Sequence, residues 1–188
     1  MIRLEFLLEE SSMESLLLTL LPKILPPAYR LDENYFLHPF SGKSHLKRSL
    51  PKKMKVFSNF HEKTAVIILH DQDSNDCKKL KNELVQLCKE NGTCAFLIRI
   101  VCRELEAWYL GDMEAIHAAY PGFKIDRYIN KEKFRNPDLC NASDELRKIL
   151  PGFQKGKSAV KIAPYMDISR NKSLSFIHFV SGLNKILS

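Results

Sequence analysis

Three acidic residues close a run of aliphatic ones in Ala65-Val66-Ile67-Ile68-Leu69-His70-Asp71-Gln72-Asp73-Ser74-Asn75-Asp76. Carboxylates at i and i+2 of an extended segment point the same way, which makes Asp71 and Asp73 a candidate pair of oxygen ligands. A hard cation such as Mg²⁺, or Mn²⁺ in its place, takes such ligands and needs only one or two carboxylates beside phosphate or water. The same residues are good chemistry for a solvated turn, and both readings stay open on this stretch alone. Asp76, just before a helical pattern, is better explained as a helix N-cap. Acids recur in the same kind of place: Glu9 and Glu10 follow the apolar run ending at Leu8, and Glu104 and Glu106 follow the one ending at Cys102.

Cations that could meet an anionic substrate lie elsewhere. Ser41-Gly42-Lys43-Ser44 resembles the tail of a phosphate loop, but the motif requires glycine at position 37, where Leu37 stands. What survives is a lysine at a strand-to-helix turn, a good place for a phosphate of any kind. Lys155 and Lys157 in Phe153–Ser158, and Arg170 in Ser169–Ser173, lie in basic, hydroxyl-rich turns suited to phosphate contacts or to ordinary solvation. The six histidines show no i, i+4 pairing, and the five cysteines form no C-x-x-C pair. Zinc and a disulfide framework are therefore not expected, and reduced thiols of a cytoplasmic protein are.

Alternating strand and helix patterns must position these residues. Arg3–Leu8, Tyr35–Phe40, Thr64–His70 and Thr93–Cys102 read as strands. Between them, Ser11-Ser12 caps a leucine-rich helix ended by Pro22 and Pro26-Pro27, a basic segment runs to Lys55, and Cys77–Asn91 is amphipathic with Asn91-Gly92 as its C-cap. This alternation predicts an α/β fold with a mainly parallel four-stranded sheet flanked by helices, and the acids fall at strand carboxyl ends, where such sheets bind ligands. Arg103–Leu110 begins a helix that places Glu104 or Glu106 toward the same crevice, with Trp108 and Leu110 as core; an exposed first turn complementing the helix dipole is the alternative. Tyr120–Asn141 is irregular, and Ala142–Leu150, Ser158–Tyr165 and Leu174–Leu187 read as helices. The expected organisation is a core over residues 1–118 and, over 119–188, an irregular loop and helical C-terminal extension packed on it.

At 188 residues, with 45% hydrophobic and 27% charged, the chain suits one main core. A formal net charge of +7 favours an anionic partner, nucleic acid first and an anionic membrane surface next. No apolar run approaches the roughly 20 residues of a membrane span, and Leu16–Leu25, with Pro22 and Lys23, is neither signal peptide nor anchor.

Glu9 after the first strand, Asp71-x-Asp73 after the third and Arg103-Glu-Leu-Glu-Ala-Trp108 after the fourth together resemble the Toprim domain of topoisomerases, primases and OLD-type nucleases. Arg103–Leu110 is also similar to the Arg-Glu-Ile-Glu-Asn-Tyr-Leu pattern of Toprim proteins that accompany ABC- or AAA-type ATPases. Phe6–Glu14, Pro39–Lys43, Glu104–Trp108 and Arg170–Phe176 resemble an uncharacterised bacterial Toprim-related family often encoded near ATPases in anti-phage loci. Toprim proteins usually carry Glu-Gly at the first motif; Glu10 occupies the glycine position here, and Glu9 is taken as the matching acid.

The resemblance implies Mg²⁺- or Mn²⁺-dependent phosphodiester hydrolysis on DNA or RNA, with an ATPase as possible partner and no membrane. Asp71 and Asp73 would hold one metal, Glu9 would bind metal or orient water, and Glu106 or Glu104 would complete a second position. Lys43, Lys155, Lys157 and Arg170 would contact phosphate. Two alternatives remain: a non-catalytic nucleic-acid or ATPase-binding partner, and a haloacid-dehalogenase-type phosphatase. The latter is suggested by Asp71-x-Asp73 and Gly111-Asp112, but Ser74 and Ile116 depart from its pattern.

Overall fold

The run Thr64–Asp71 forms β3, and all eight of its residues are buried, as expected for a central strand covered on both faces. In the computed structural model, which describes Met1–Ser188, β1 (Arg3–Leu8), β2 (Tyr35–Pro39) and β4 (Ala95–Val101) join it in one four-stranded sheet. The order is β2-β1-β3-β4 and every pairing is parallel. The chain leaves β1 to one side for β2 and returns on the other side for β3. The strand order therefore reverses between β1 and β3, and their carboxyl ends border the crevice where open α/β sheets bind ligands.

Side chains alternate across the sheet. Leu4, Phe6 and Leu8 of β1, with Ala65, Ile67 and Leu69 of β3, enter a core of 38 buried residues on one face. Leu7, Val66 and Ile68 enter a smaller core of 12 on the other. The smaller core is closed by α2 (Lys43–Ser58) and α3 (Cys77–Asn91) through Leu46, Leu50, Met54, Leu80 and Leu84. The larger is closed by α1 (Ser11–Ile24) and by the later helices: α4 (Glu106–Leu110), α5 (Met113–Ala119), α6 (Ala142–Ile149), α7 (Lys155–Ile162) and α8 (Leu174–Leu187). Three short 3-10 turns occupy the irregular stretch between α5 and α6. The C-terminal helices thus complete the same apolar core as the sheet.

Trp108 shows how that core is tied together. Its indole is fully buried, with ring centroids 5.1 Å from Phe176 and 5.2 Å from Phe179 of α8. The indole N–H donates to Ser175 Oγ at 2.9 Å, and the Trp108 carbonyl accepts from Asn171 Nδ2 at 2.8 Å. Gly111 makes room for that amide, because a Cβ there would stand 2.1 Å from Asn171 Oδ1.

Local expectations are corrected in four places. The first helix runs through Pro22 to Ile24; the carbonyl deprived of its partner belongs to Leu18, itself 45% exposed, and Leu25 N–H closes on Leu21 O at 2.8 Å. Its N-cap is Glu10, not Ser11 or Ser12, and the Ser12 hydroxyl donates to the Glu10 carboxylate. Gly92 is extended, with φ −168°, so no left-handed C-cap is required of it. It is small because a Cβ would lie 2.6 Å from Ser58 Oγ, which accepts from the N–H groups of Thr93 and Cys94. The helix expected over Ser158–Tyr165 begins at Lys155 and gives way to a 3-10 turn at Ala163, where Pro164 lacks a donor. No helix is long and apolar enough to cross a membrane.

Trp108→Ala is expected to lower unfolding free energy by about 3–5 kcal/mol. Leu139→Ala, at a side chain 69% exposed, should stay within about 0.5 kcal/mol in the same urea titration.

Candidate active site

The turns at the carboxyl edge of the sheet share an unusual backbone. Gly42 after β2, Asp73 after β3 and Arg103 after β4 have φ of 87°, 51° and 58°. Glycine adopts this region freely and aspartate tolerates it, whereas an arginine held there stores strain of roughly 1–3 kcal/mol. Surrounding bonds impose it: Asp73 N–H donates to Arg103 O at 2.7 Å, Gln72 N–H to Val101 O at 2.9 Å, and Arg103 N–H to Gln72 Oε1 at 3.2 Å.

Below these turns, register sets the acids. Leu8 pairs with Leu69, and the Glu9 N–H donates to Leu69 O at 3.2 Å, so Glu9 lies beside His70 and Asp71. Glu9 Oε2 accepts from the Asp71 N–H at 2.9 Å and stands 2.8 Å from His70 Nδ1. That nitrogen also lies 2.6 Å from Asp71 O. Burial works against the Glu9 carboxylate, but the hydrogen bond and charge of His70, the Asp71 N–H and the Lys43 charge outweigh it and hold the group below its ordinary range.

Asp71 and Glu106 lack such support. Asp71 Oδ1 and both Glu106 carboxylate oxygens are buried without a hydrogen-bond partner. Burial, followed by the charges of Glu9, Glu106 and Glu10, pushes the Asp71 carboxyl well above its usual value. Burial raises Glu106 to about 6 despite the opposing pull of Lys155, whose Nζ lies 3.4 Å from Glu106 Oε2. Burial disfavours the Lys155 ammonium, yet Glu106, Glu10, Glu104 and Asp71 raise its pKa above the ordinary lysine value. Glu104, by contrast, is engaged: Oε1 accepts from the Ser143 N–H at the start of α6 at 2.8 Å, and Oε2 lies 3.4 Å from Lys155. Of the two glutamates, Glu106 retains one free oxygen, Oε1.

Not every candidate joins this group. The strand ends at Asp71, so the left-handed Asp73 breaks the i, i+2 alternation. Its side chain is 42% exposed and paired with Lys43 at 3.4 Å, on the rim. Lys157 is exposed on the first turn of α7. Arg170 sits apart, its Nε and Nη2 on the two Asp112 oxygens at 2.8 and 3.0 Å and its Nη1 2.8 Å from Glu114. Asp112 is committed further, accepting from the N–H groups of Ala115 and Asp167, which leaves the Gly111-Asp112 segment a structural role. Asp76 caps α3 through the Lys79 N–H at 2.8 Å.

Two further residues border the group: Tyr109, which was not singled out from the sequence, and His70, which the sequence offered either as a support for Asp71 or as a core histidine. Tyr109 is fully buried with an unpartnered hydroxyl, and its phenol is raised well above its usual value by burial, then by Glu106, Asp71 and Glu10. Its i, i+3 spacing from Glu106 was the available signal. His70 is fully buried and bound to Glu9 on one side, with Nε2 unpartnered.

As an ion site the group is partly assembled. Its donors are hard oxygens, two of them (Asp71 Oδ1 and Glu106 Oε1) without any partner, which fit Mg²⁺ or Mn²⁺ in kind. No three acidic, histidine or cysteine side chains are gathered within reach of a single ion.

In metal-free protein, a Glu106 pKa raised from 4.5 to about 6 contributes stability that is full below about pH 4.5 and lost as pH rises through about 6. Asp71 acts in the same direction, and the lowered Glu9 in the opposite one, losing stability as pH falls. Glu106→Gln is expected to remove about 2 kcal/mol of the decline between pH 4.5 and about 7. Urea unfolding across that range checks it, and an unaltered pH slope would exclude a buried charge at this position.

The same architecture is found in the C-terminal region of the OLD protein of Xanthomonas campestris pv. campestris, with a TM-score of 0.51 over 96% of this chain and 93% of that one. Identity is 14%, so the likeness is one of fold, and it agrees with the Toprim-like sheet. No curated protein matches the sequence. The family model DUF4276, a domain of unknown function, matches residues 8–184, from the last residue of β1 into α8. The chain therefore belongs to the DUF4276 family.

Proposed function

We propose that the chain is a divalent-metal-dependent phosphodiesterase acting on nucleic acid. The observation that carries this reading is the pair of buried carboxylates Asp71 and Glu106 at the carboxyl edge of the sheet: Asp71 Oδ1 and Glu106 Oε1 have no partner, and Glu106 Oε2 has only the Lys155 ammonium at 3.4 Å. Carboxylates buried with so few donors are costly, and a further cation would make their shared ionisation tolerable. The structural likeness to an OLD protein and the net charge of +7 support the same direction.

Asp71 and Glu106 would hold Mg²⁺ or Mn²⁺, with Glu9 at their side. When bound, the ion would supply Lewis-acid polarisation of the phosphoryl oxygen and a more acidic water. Glu9 has Oε2 fixed by His70 and the Asp71 N–H, which leaves Oε1 to orient the attacking water. Lys155 brings a permanent positive charge to the inner wall, where charge develops on the phosphoryl oxygens. Lys43 and Asp73 stand at the rim as a charge pair that an incoming phosphate would reorganise. Lys157, exposed two residues beyond Lys155 on the first turn of α7, would be a further, outer phosphate contact. Action beside an AAA- or ABC-type ATPase in anti-phage defence belongs to the same proposal and rests on the sequence resemblance.

One observation favours a non-catalytic reading, in which the chain binds nucleic acid or an ATPase without cleaving: the acids are not gathered around one ion. Cleavage assays separate the two. With Mg²⁺ or Mn²⁺, single-stranded and duplex DNA and RNA are the substrates, tested with the chain alone and with a candidate ATPase. Asp71→Asn is expected to abolish metal-dependent cleavage, and Glu106→Gln to lower it by about 10²-fold or more. Both should leave the circular dichroism spectrum unchanged. Equal cleavage by Asp71→Asn would defeat the assignment.

A further inference from the structure

A wide concavity lies away from the acids. It is a groove of about 650 Å³ along the free edge of β4, between α3 and α8. Its cations have no acidic partner: Lys81 of α3 and Arg99 of β4 make no ion pair, and the Arg103 guanidinium bonds only to the amide of Asn141 at 2.7 Å. Arg99 is the most telling. Its Nε is buried without a hydrogen-bond partner, and its guanidinium lies against α8 where Gly182 leaves room, since a Cβ there would stand 2.4 Å from Nη2.

The acids of the groove do not neutralise these charges. Asp138 accepts from the Ser173 and Ser175 hydroxyls and the Ser175 N–H, and Asp73 is paired with Lys43. The groove also exposes Leu139 and Leu174, at 69% and 54%. Unpaired cations beside exposed apolar side chains match a chain that is anionic along its backbone and apolar on its base faces.

We infer that the β4 groove is a binding track for single-stranded nucleic acid, with phosphates on Arg99 and Lys81 and bases against Leu139, Leu174 and His178. Asp73 and Arg103 belong both to this groove and to the turns above Asp71, so a strand leaving the groove passes the acidic site. The inference rests on the phosphodiesterase reading for the direction of the strand, and on the groove alone for binding. An extended peptide adding to the β4 edge is the competing occupant.

Fluorescence anisotropy on the full chain in EDTA tests it without turnover, using labelled oligo-dT and oligo-U about 12 nucleotides long. Arg99→Gln and Lys81→Glu are each expected to weaken binding about tenfold and to flatten the slope of log K against log salt by about 0.7 per lost contact. Lys89→Glu, the same charge change as Lys81→Glu at another exposed position of α3, should leave affinity within about twofold. Lys81 is exposed, so its variant keeps the test decisive even if Arg99→Gln fails to fold. Wild-type affinity in the Lys81 variant, an equal loss with Lys89→Glu, or absence of oligonucleotide binding with a peptide bound instead would each overturn the inference. Groove-dependent binding without metal-dependent cleavage would uphold the track and sink the phosphodiesterase reading.

Discussion

Burying carboxylates side by side governs this structure. Glu9, Asp71 and Glu106 are all buried at one edge of one sheet, and each would pay heavily to be charged there unless a partner compensates. The fold applies three remedies. Glu9 receives an imidazole and a backbone N–H and stays ionised. Asp71 and Glu106 receive no imidazole, and burial pushes both toward protonation. Lys155 supplies one internal cation to Glu104 and Glu106 together. The result is a pocket balanced for one more positive charge, and that imbalance is the physical basis of the proposed metal.

The balance depends on elements distant in sequence. Lys155 arrives on α7, from the helical half of the chain, and Glu104 is turned away from the crevice because it binds the start of α6. α7 packs against α1 and α8 against β4, within the same apolar core that closes the sheet. The C-terminal helices thus build the wall of the site as well as covering it, in keeping with a family match that spans both halves.

Much of the fold was legible because its signals are local. Strand positions followed from β-branched runs, and helix positions, α8 included, from the spacing of apolar residues. Glu9 and Asp71 could be placed at one edge because parallel strands separated by helices must align their carboxyl ends. Asp73 could not be placed, because its left-handed conformation is imposed by the Arg103 carbonyl one strand away. Arg170 had the composition of a phosphate contact, yet its partner Asp112 lies 58 residues earlier, a pairing no local pattern encodes. Tyr109 was hidden by chemistry that looks like core until its hydroxyl is found unpartnered among acids.

The sequence by itself determined the α/β alternation, the parallel sheet and the gathering of acids at strand ends, since periodicity and connection length depend on near neighbours. The tertiary structure alone decided which acids are buried and which are paired. It tied Glu104 to the N–H of Ser143 and buried Glu106 beside Lys155, and it paired the half-exposed Asp73 with Lys43. It also left Arg99 without a counter-charge beside a free sheet edge. Charge state depends on desolvation and on partners from across the chain, and those are fixed only when the helices close over the sheet.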